Sequence, residues 1–101
     1  MSDIALIAKI TARPGARADA LAAFVPLLEQ AEAEAGTTTY LVHLDADDAD
    51  VIWMYERYTD SDAREAHRRS EVMKTAGRAL GEHLAGAPEI TLLIPQGGKG
   101  A

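Results

Sequence analysis

One histidine and one glutamate stand out in this sequence as groups suited to moving a proton. His67 falls in a short helical run, in phase with Ala63, Ala66 and Ser70. Imidazole titrates near neutral pH, so His67 is the best candidate for a general base. The competing reading is a buried histidine bonded to a backbone carbonyl, holding its helix on a sheet. Glu56 shares a strand face with Ile52, Met54 and Tyr58. A carboxylate is costly there unless it is paired. It either orients a substrate hydroxyl and accepts a proton, or it pairs with Lys9 or Arg57. Trp53, Tyr55 and Tyr40 either line a flat aromatic pocket or serve as core and interface. His43 and His83 lack any partner pattern. The three histidines and nearby acids do not make a metal spacing, and there is neither a phosphate-binding glycine loop nor a nucleophile elbow. Neither a metal nor a flavin or other cofactor is expected.

The elements that must position these groups can be read in order. Residues 4–11, IALIAKIT, form a short apolar strand, stopped by Arg13-Pro14-Gly15. From Ala16 the period becomes helical, with Leu21, Phe24, Leu28 and Ala31 on one stripe. Pro26 should kink that helix and Gly36 should end it. Residues 37–44 and 51–58 are rich in β-branched and aromatic side chains, and the short acidic link between them predicts a hairpin. The link lacks the glycine and terminal glutamate of an EF-hand, so it reads as a solvated turn. Thr59-Asp60-Ser61-Asp62 caps the helix that carries His67. Met73, Ala76, Leu80 and Leu84 mark a further helix, which Gly81 and Gly86 weaken and end. Residues 89–94 form a last strand, closed by Pro95, and residues 96–101 read as a flexible tail.

The order β-α-β-β-α-β predicts an α+β, ferredoxin-like domain over residues 1–95. It is a four-stranded antiparallel sheet with helices on one face. Three strands are apolar on both faces. The first sets Ile4, Leu6, Ala8 and Ile10 against Ala5 and Ile7. The third sets Val51, Trp53 and Tyr55 against Ile52, Met54 and Tyr58, and the last sets Ile90, Leu92 and Ile94 against Leu93. Helices cover one face only, so the other is expected to meet the sheet of a second copy, giving a homodimer.

Composition narrows the field of partners. At 101 residues the chain is one domain, and 48% hydrophobic with 26% charged residues suits a globular protein. A net charge of −6 argues against nucleic acid, and the absence of cysteine excludes disulfides and thiolate sites. With no membrane-length apolar run and no signal-peptide pattern, no membrane association is expected and the default location is cytoplasmic.

These residues resemble a known family. The strand leading into Arg13-Pro14-Gly15, Glu56 followed by Tyr58, and Glu65-Ala66-His67 before Ser70 are similar to the antibiotic biosynthesis monooxygenase domain. That domain belongs to the dimeric α+β barrel superfamily. The resemblance spans residues 4–95. It implies a homodimer of facing sheets with a pocket between sheet and helices in each subunit. It also implies a cofactor-independent monooxygenase acting on a small aromatic, polyphenol or quinol-like ligand, with His67 and Glu56 as catalytic groups. Haem-degrading members carry asparagine, tryptophan and histidine where this chain has Ala8, His67 and Gly77, which argues against haem. Two alternatives stay open: a non-catalytic dimer that binds a small molecule, and an isomerase or lyase of the same superfamily.

Overall fold

The computed structural model describes residues 3–100; Met1, Ser2 and Ala101, the last predicted tail residue, lie outside that range. The elements are β1 (Ile4–Thr11), α1 (Arg17–Ala23), α2 (Val25–Ala33), β2 (Thr37–Leu44), β3 (Val51–Tyr58), α3 (Ser61–Arg68), α4 (Glu71–Gly81) and β4 (Glu89–Leu93). All four strands pair antiparallel in one sheet of order β2-β3-β1-β4. This is the ferredoxin-like arrangement expected from the chain order. Among the described residues no helix is long and apolar enough to cross a membrane.

The core lies between one sheet face and the helices. Leu6, Ala8, Ile10, Ile52, Met54 and Tyr58 point up from the sheet, and Ala20, Phe24, Leu27, Ala76 and Leu80 meet them. The first helical region breaks in two at Phe24, ahead of Pro26. Proline lacks an N–H and crowds the turn before it, so the break falls upstream of the ring. The break also shifts the helical phase. Leu27 takes the buried position expected for Leu28, and Leu28 is left half-buried. Two other expectations need correction. Ala66 is exposed, because it lies one helical step off the inward line of Ala63 and His67. The last helix already ends at Gly81, so Gly86 plays no part in it, and β4 stops one residue short, at Leu93.

The acidic link is built rather than merely solvated. One Asp45 carboxylate oxygen accepts from the backbone N–H groups of Asp47 (2.9 Å) and Asp48 (2.8 Å). The other accepts from the Trp53 indole N–H at 2.7 Å. The Arg17 guanidinium donates to the carbonyl of Asp48 at 2.9 Å. The Trp53 bond, followed by the two backbone bonds, holds the Asp45 carboxyl down at about 2, against an ordinary 3.8. A depressed carboxylate contributes stability above its unfolded value and loses it as pH falls through its folded value. Trp53 is the single tryptophan. Its fluorescence should therefore change on acidification with a midpoint near pH 2, and Asp45→Asn should abolish that transition.

Gly36 joins α2 to β2 where the chain passes α3. A Cβ there would sit 2.6 Å from the Cβ of Ala63, well inside contact distance. Gly36→Ala should destabilise the fold by about 1–3 kcal/mol, the usual cost of overpacking. Ala63→Gly in the same chain should recover part of that loss, as urea unfolding of the single and double variants would show.

Candidate functional site

Four elements converge on one polar cluster beneath α3. Asp60 caps α3, its carboxylate accepting from the Ala63 N–H at 2.8 Å. The first turn is thereby fixed and His67 is aimed at the sheet. On the sheet, Tyr40 of β2 lies directly across from Glu56 of β3, and Tyr58 follows two residues on along the same face. Glu34 enters from the other side, as the residue that closes α2.

His67 is 2% exposed, the one buried polar residue of the domain's described part. Its Nδ1 lies 2.7 Å from Oε1 of Glu34. The Tyr40 and Tyr58 rings flank it, with centroids at 5.1 and 5.7 Å. Its Nε2 is buried and has no hydrogen-bond partner, and the same holds for Nε of Arg64 one turn earlier. Native interiors seldom leave such atoms unpaired, so two of them on one helix call for an explanation.

The carboxylates differ in character. Burial pushes Glu34 up, but hydrogen bonds from His67, Gln30 and Thr37 outweigh it and leave the group below its ordinary range. Glu56 moves the other way: burial raises it, and the Tyr58 hydroxyl, His67 and Arg64 offset only part of that rise. The Tyr58 hydroxyl donates to Glu56 Oε1 at 2.5 Å. Burial and the neighbouring Glu56 charge push both Tyr40 and Tyr58 up, so both stay protonated at neutral pH. The result is an imidazole with a fixed carboxylate partner, near a second carboxyl that burial shifts upward.

The sheet separates the sequence-predicted residues into two groups. His67, Glu56 and Tyr40 come together. Trp53 and Tyr55 occupy the opposite, helix-free face, because alternate strand residues point to opposite sides. They cannot share a pocket with His67 within one subunit. The expected partners of Glu56 are on that far face too. Lys9 lies over the Trp53 ring at 5.9 Å, and Arg57 pairs with Asp3 at 3.0 Å. Tyr58 takes their place. His67 likewise bonds a carboxylate rather than a backbone carbonyl. Ser70 is the cap of α4, its hydroxyl bonded to the His67 carbonyl at 2.9 Å. His43 approaches the Trp53 carbonyl at 3.3 Å on the far face.

Glu34 escaped sequence reasoning. One signal pointed to it: a carboxylate at a helix C-terminus opposes the helix dipole, so it needs a compensating partner. The nearest large opening is a wide cleft of about 560 Å³ between α2 and β2, which Tyr40 lines and His67 does not. Its charged walls, Glu29 and Glu32, are both acidic.

The topology defines a ferredoxin-like α+β domain with a buried polar cluster under α3. The chain belongs to the antibiotic biosynthesis monooxygenase family, which it matches over residues 3–79. Solved structures agree. Rv0793 from Mycobacterium tuberculosis is 28% identical with a TM-score of 0.87, the match covering 97% of this chain and 99% of that one. PA3566 from Pseudomonas aeruginosa is 29% identical with a TM-score of 0.86, covering 96% and 97%. A candidate antibiotic biosynthesis monooxygenase from Caulobacter crescentus CB15 is 29% identical with a TM-score of 0.86, covering 91% and 88%. No curated protein matches the chain.

Proposed function

We propose that this protein is a cofactor-independent monooxygenase acting on a small, neutral hydroxy-aromatic or quinol-like substrate. The observation that carries this reading is the buried His67, bonded to Glu34 through Nδ1 and unpartnered at Nε2. Family membership supports the reaction class. The substrate supplies the reducing power. His67 Nε2 takes the phenolic proton, and the electron-rich anion passes electrons to dioxygen. The reduced oxygen bonds to a ring carbon and takes the proton back from His67, and the resulting hydroperoxide loses water to give the quinone. One oxygen atom stays on the ring and the other leaves as water. The protein contributes a base, a dry chamber and hydrogen-bond donors. The acidic rim of the cleft favours neutral substrates over carboxylates and phosphates. Tyr40 stands between cleft and base, so its ring must swing aside for the substrate to reach His67. The working form is a homodimer closed through the helix-free sheet face.

Burial of the cluster favours a second reading. With His67 2% exposed and both tyrosine rings against it, the domain would bind a ligand in the cleft without chemistry. Oxygen uptake by the chelator-treated protein with a panel of hydroquinones and polyphenols separates the two. Uptake with stoichiometric quinone formation is expected. Binding of panel members without uptake from any of them would overturn the monooxygenase reading in favour of the binder.

A further inference from the structure

We propose that Glu34 is a positioning residue that locks His67 in one tautomer, with the proton on Nδ1 and the lone pair on Nε2. The open nitrogen then accepts a hydrogen bond from a neutral substrate hydroxyl. This inference rests on the reading of His67 as the base.

The geometry is that of an acceptor crowded by donors. Glu34 Oε1 receives the Thr37 hydroxyl at 2.8 Å and faces His67 Nδ1 at 2.7 Å. Oε2 receives the Gln30 side-chain amide at 3.1 Å. Three donors converge on this one carboxyl, and its lowered titration range keeps it ionised. An ionised carboxylate can only accept, so the hydrogen of this contact belongs to Nδ1. Neutral imidazole carries one N–H, which leaves Nε2 bare.

The support is rigid. The Glu34 backbone N–H bonds the Ala31 carbonyl at 3.1 Å, and its own carbonyl accepts from the Thr37 N–H at 3.1 Å. The carboxylate therefore stands on the end of α2 and the start of β2 together. On the histidine side, the Ser70 N–H and hydroxyl both bond the His67 carbonyl, at 3.2 and 2.9 Å. A hydrogen bond to one ring nitrogen sets what the other can do. Here the other nitrogen is buried, unpaired and flanked by Tyr40 and Tyr58. A ligand hydroxyl would satisfy it. An anionic oxygen would not, because a bare nitrogen offers no proton and the same ring already carries the Glu34 carboxylate on Nδ1.

The test reads the imidazole directly, in the ligand-free protein. Two-bond 1H–15N correlation spectra of histidine-labelled protein distinguish the tautomers, and His67→Gln assigns the signal among the three histidines. At mildly alkaline pH, wild type should show Nδ1 protonated and Nε2 bare. Glu34→Gln offers an amide that can donate as well as accept, so the ring should shift to a mixture of tautomers. Glu34→Asp, which keeps the carboxylate, should restore the single form at least in part. A wild-type ring protonated on Nε2, or on both nitrogens, overturns the proposal without any variant. An unchanged tautomer in Glu34→Gln overturns it equally. The expected spectra in a protein that consumes no oxygen would uphold the Glu34 role while sinking the monooxygenase reading, so the two fail separately.

Discussion

Replacing His67 with glutamine should lower turnover by about two to four orders of magnitude, the range typical of general-base loss. Glutamine is close in size and can still reach Glu34, but it cannot accept a proton at neutral pH. The variant therefore removes the base while sparing the packing. Glu34 keeps its bonds from Gln30 and Thr37 in any case, so no buried carboxylate is stranded. His67→Ala is the harsher test. It empties a buried site between two tyrosine rings and should lower the melting temperature as well. The useful quantity is oxygen uptake per folded protein, with folding followed by circular dichroism. An unchanged rate in His67→Gln would remove the residue from the mechanism and leave it a structural role.

In the proposed homodimer, an arginine in place of Leu41 should shift the protein to monomer at micromolar concentration. The helix-free sheet face carries a cross-strand row of Leu41, Tyr55, Ile7 and Thr91. Leu41 is 51% and Ile7 37% exposed, with Leu93 also 37% exposed one row away. Large apolar side chains placed side by side on a flat sheet are what a second copy would cover. In a two-fold contact each substitution enters the interface twice. A buried arginine without a partner in that contact should cost at least about 2–4 kcal/mol, roughly thirty- to a thousandfold in dissociation constant. Sedimentation velocity of wild type and Leu41→Arg across a concentration series gives the answer. A wild-type monomer at these concentrations would sink the dimer, and a Leu41→Arg dimer would place its interface elsewhere.

Much of the fold was legible because the punctuation is strong. Arg13-Pro14-Gly15 ends β1, Gly36 falls in the turn that follows α2, though the helix itself stops three residues earlier at Ala33, and the aspartates between Leu44 and Val51 leave room only for a turn. Helical phase was less legible. A kink at Pro26 could be expected, but not that the chain would break before it and bring Leu27 rather than Leu28 into the core. The site was legible in part. Alternation along β3 puts Glu56 and Tyr58 on one side and Trp53 and Tyr55 on the other, yet both sides are aromatic. Nothing in the spacing says which side the helices cover. Glu34 and His67 are 33 positions apart, in helices with no shared period. Only the folded chain sets them side by side.

The alternation of β3 also has a consequence for how this domain can change. Its odd-numbered positions, Trp53, Tyr55 and Arg57, look outward, and its even-numbered ones, Met54, Glu56 and Tyr58, look toward His67. The two sets are interleaved along one strand yet walled off from each other by the backbone. Variation can therefore explore them as separate libraries. Random substitution of the odd set should retune quaternary contacts while leaving ligand selectivity nearly intact, whereas the even set, with Met54 and Tyr58 in the core, can vary only as far as packing allows. A one-residue slip of β3 in its pairing register would exchange the two sets wholesale, and selection should tolerate it least of all.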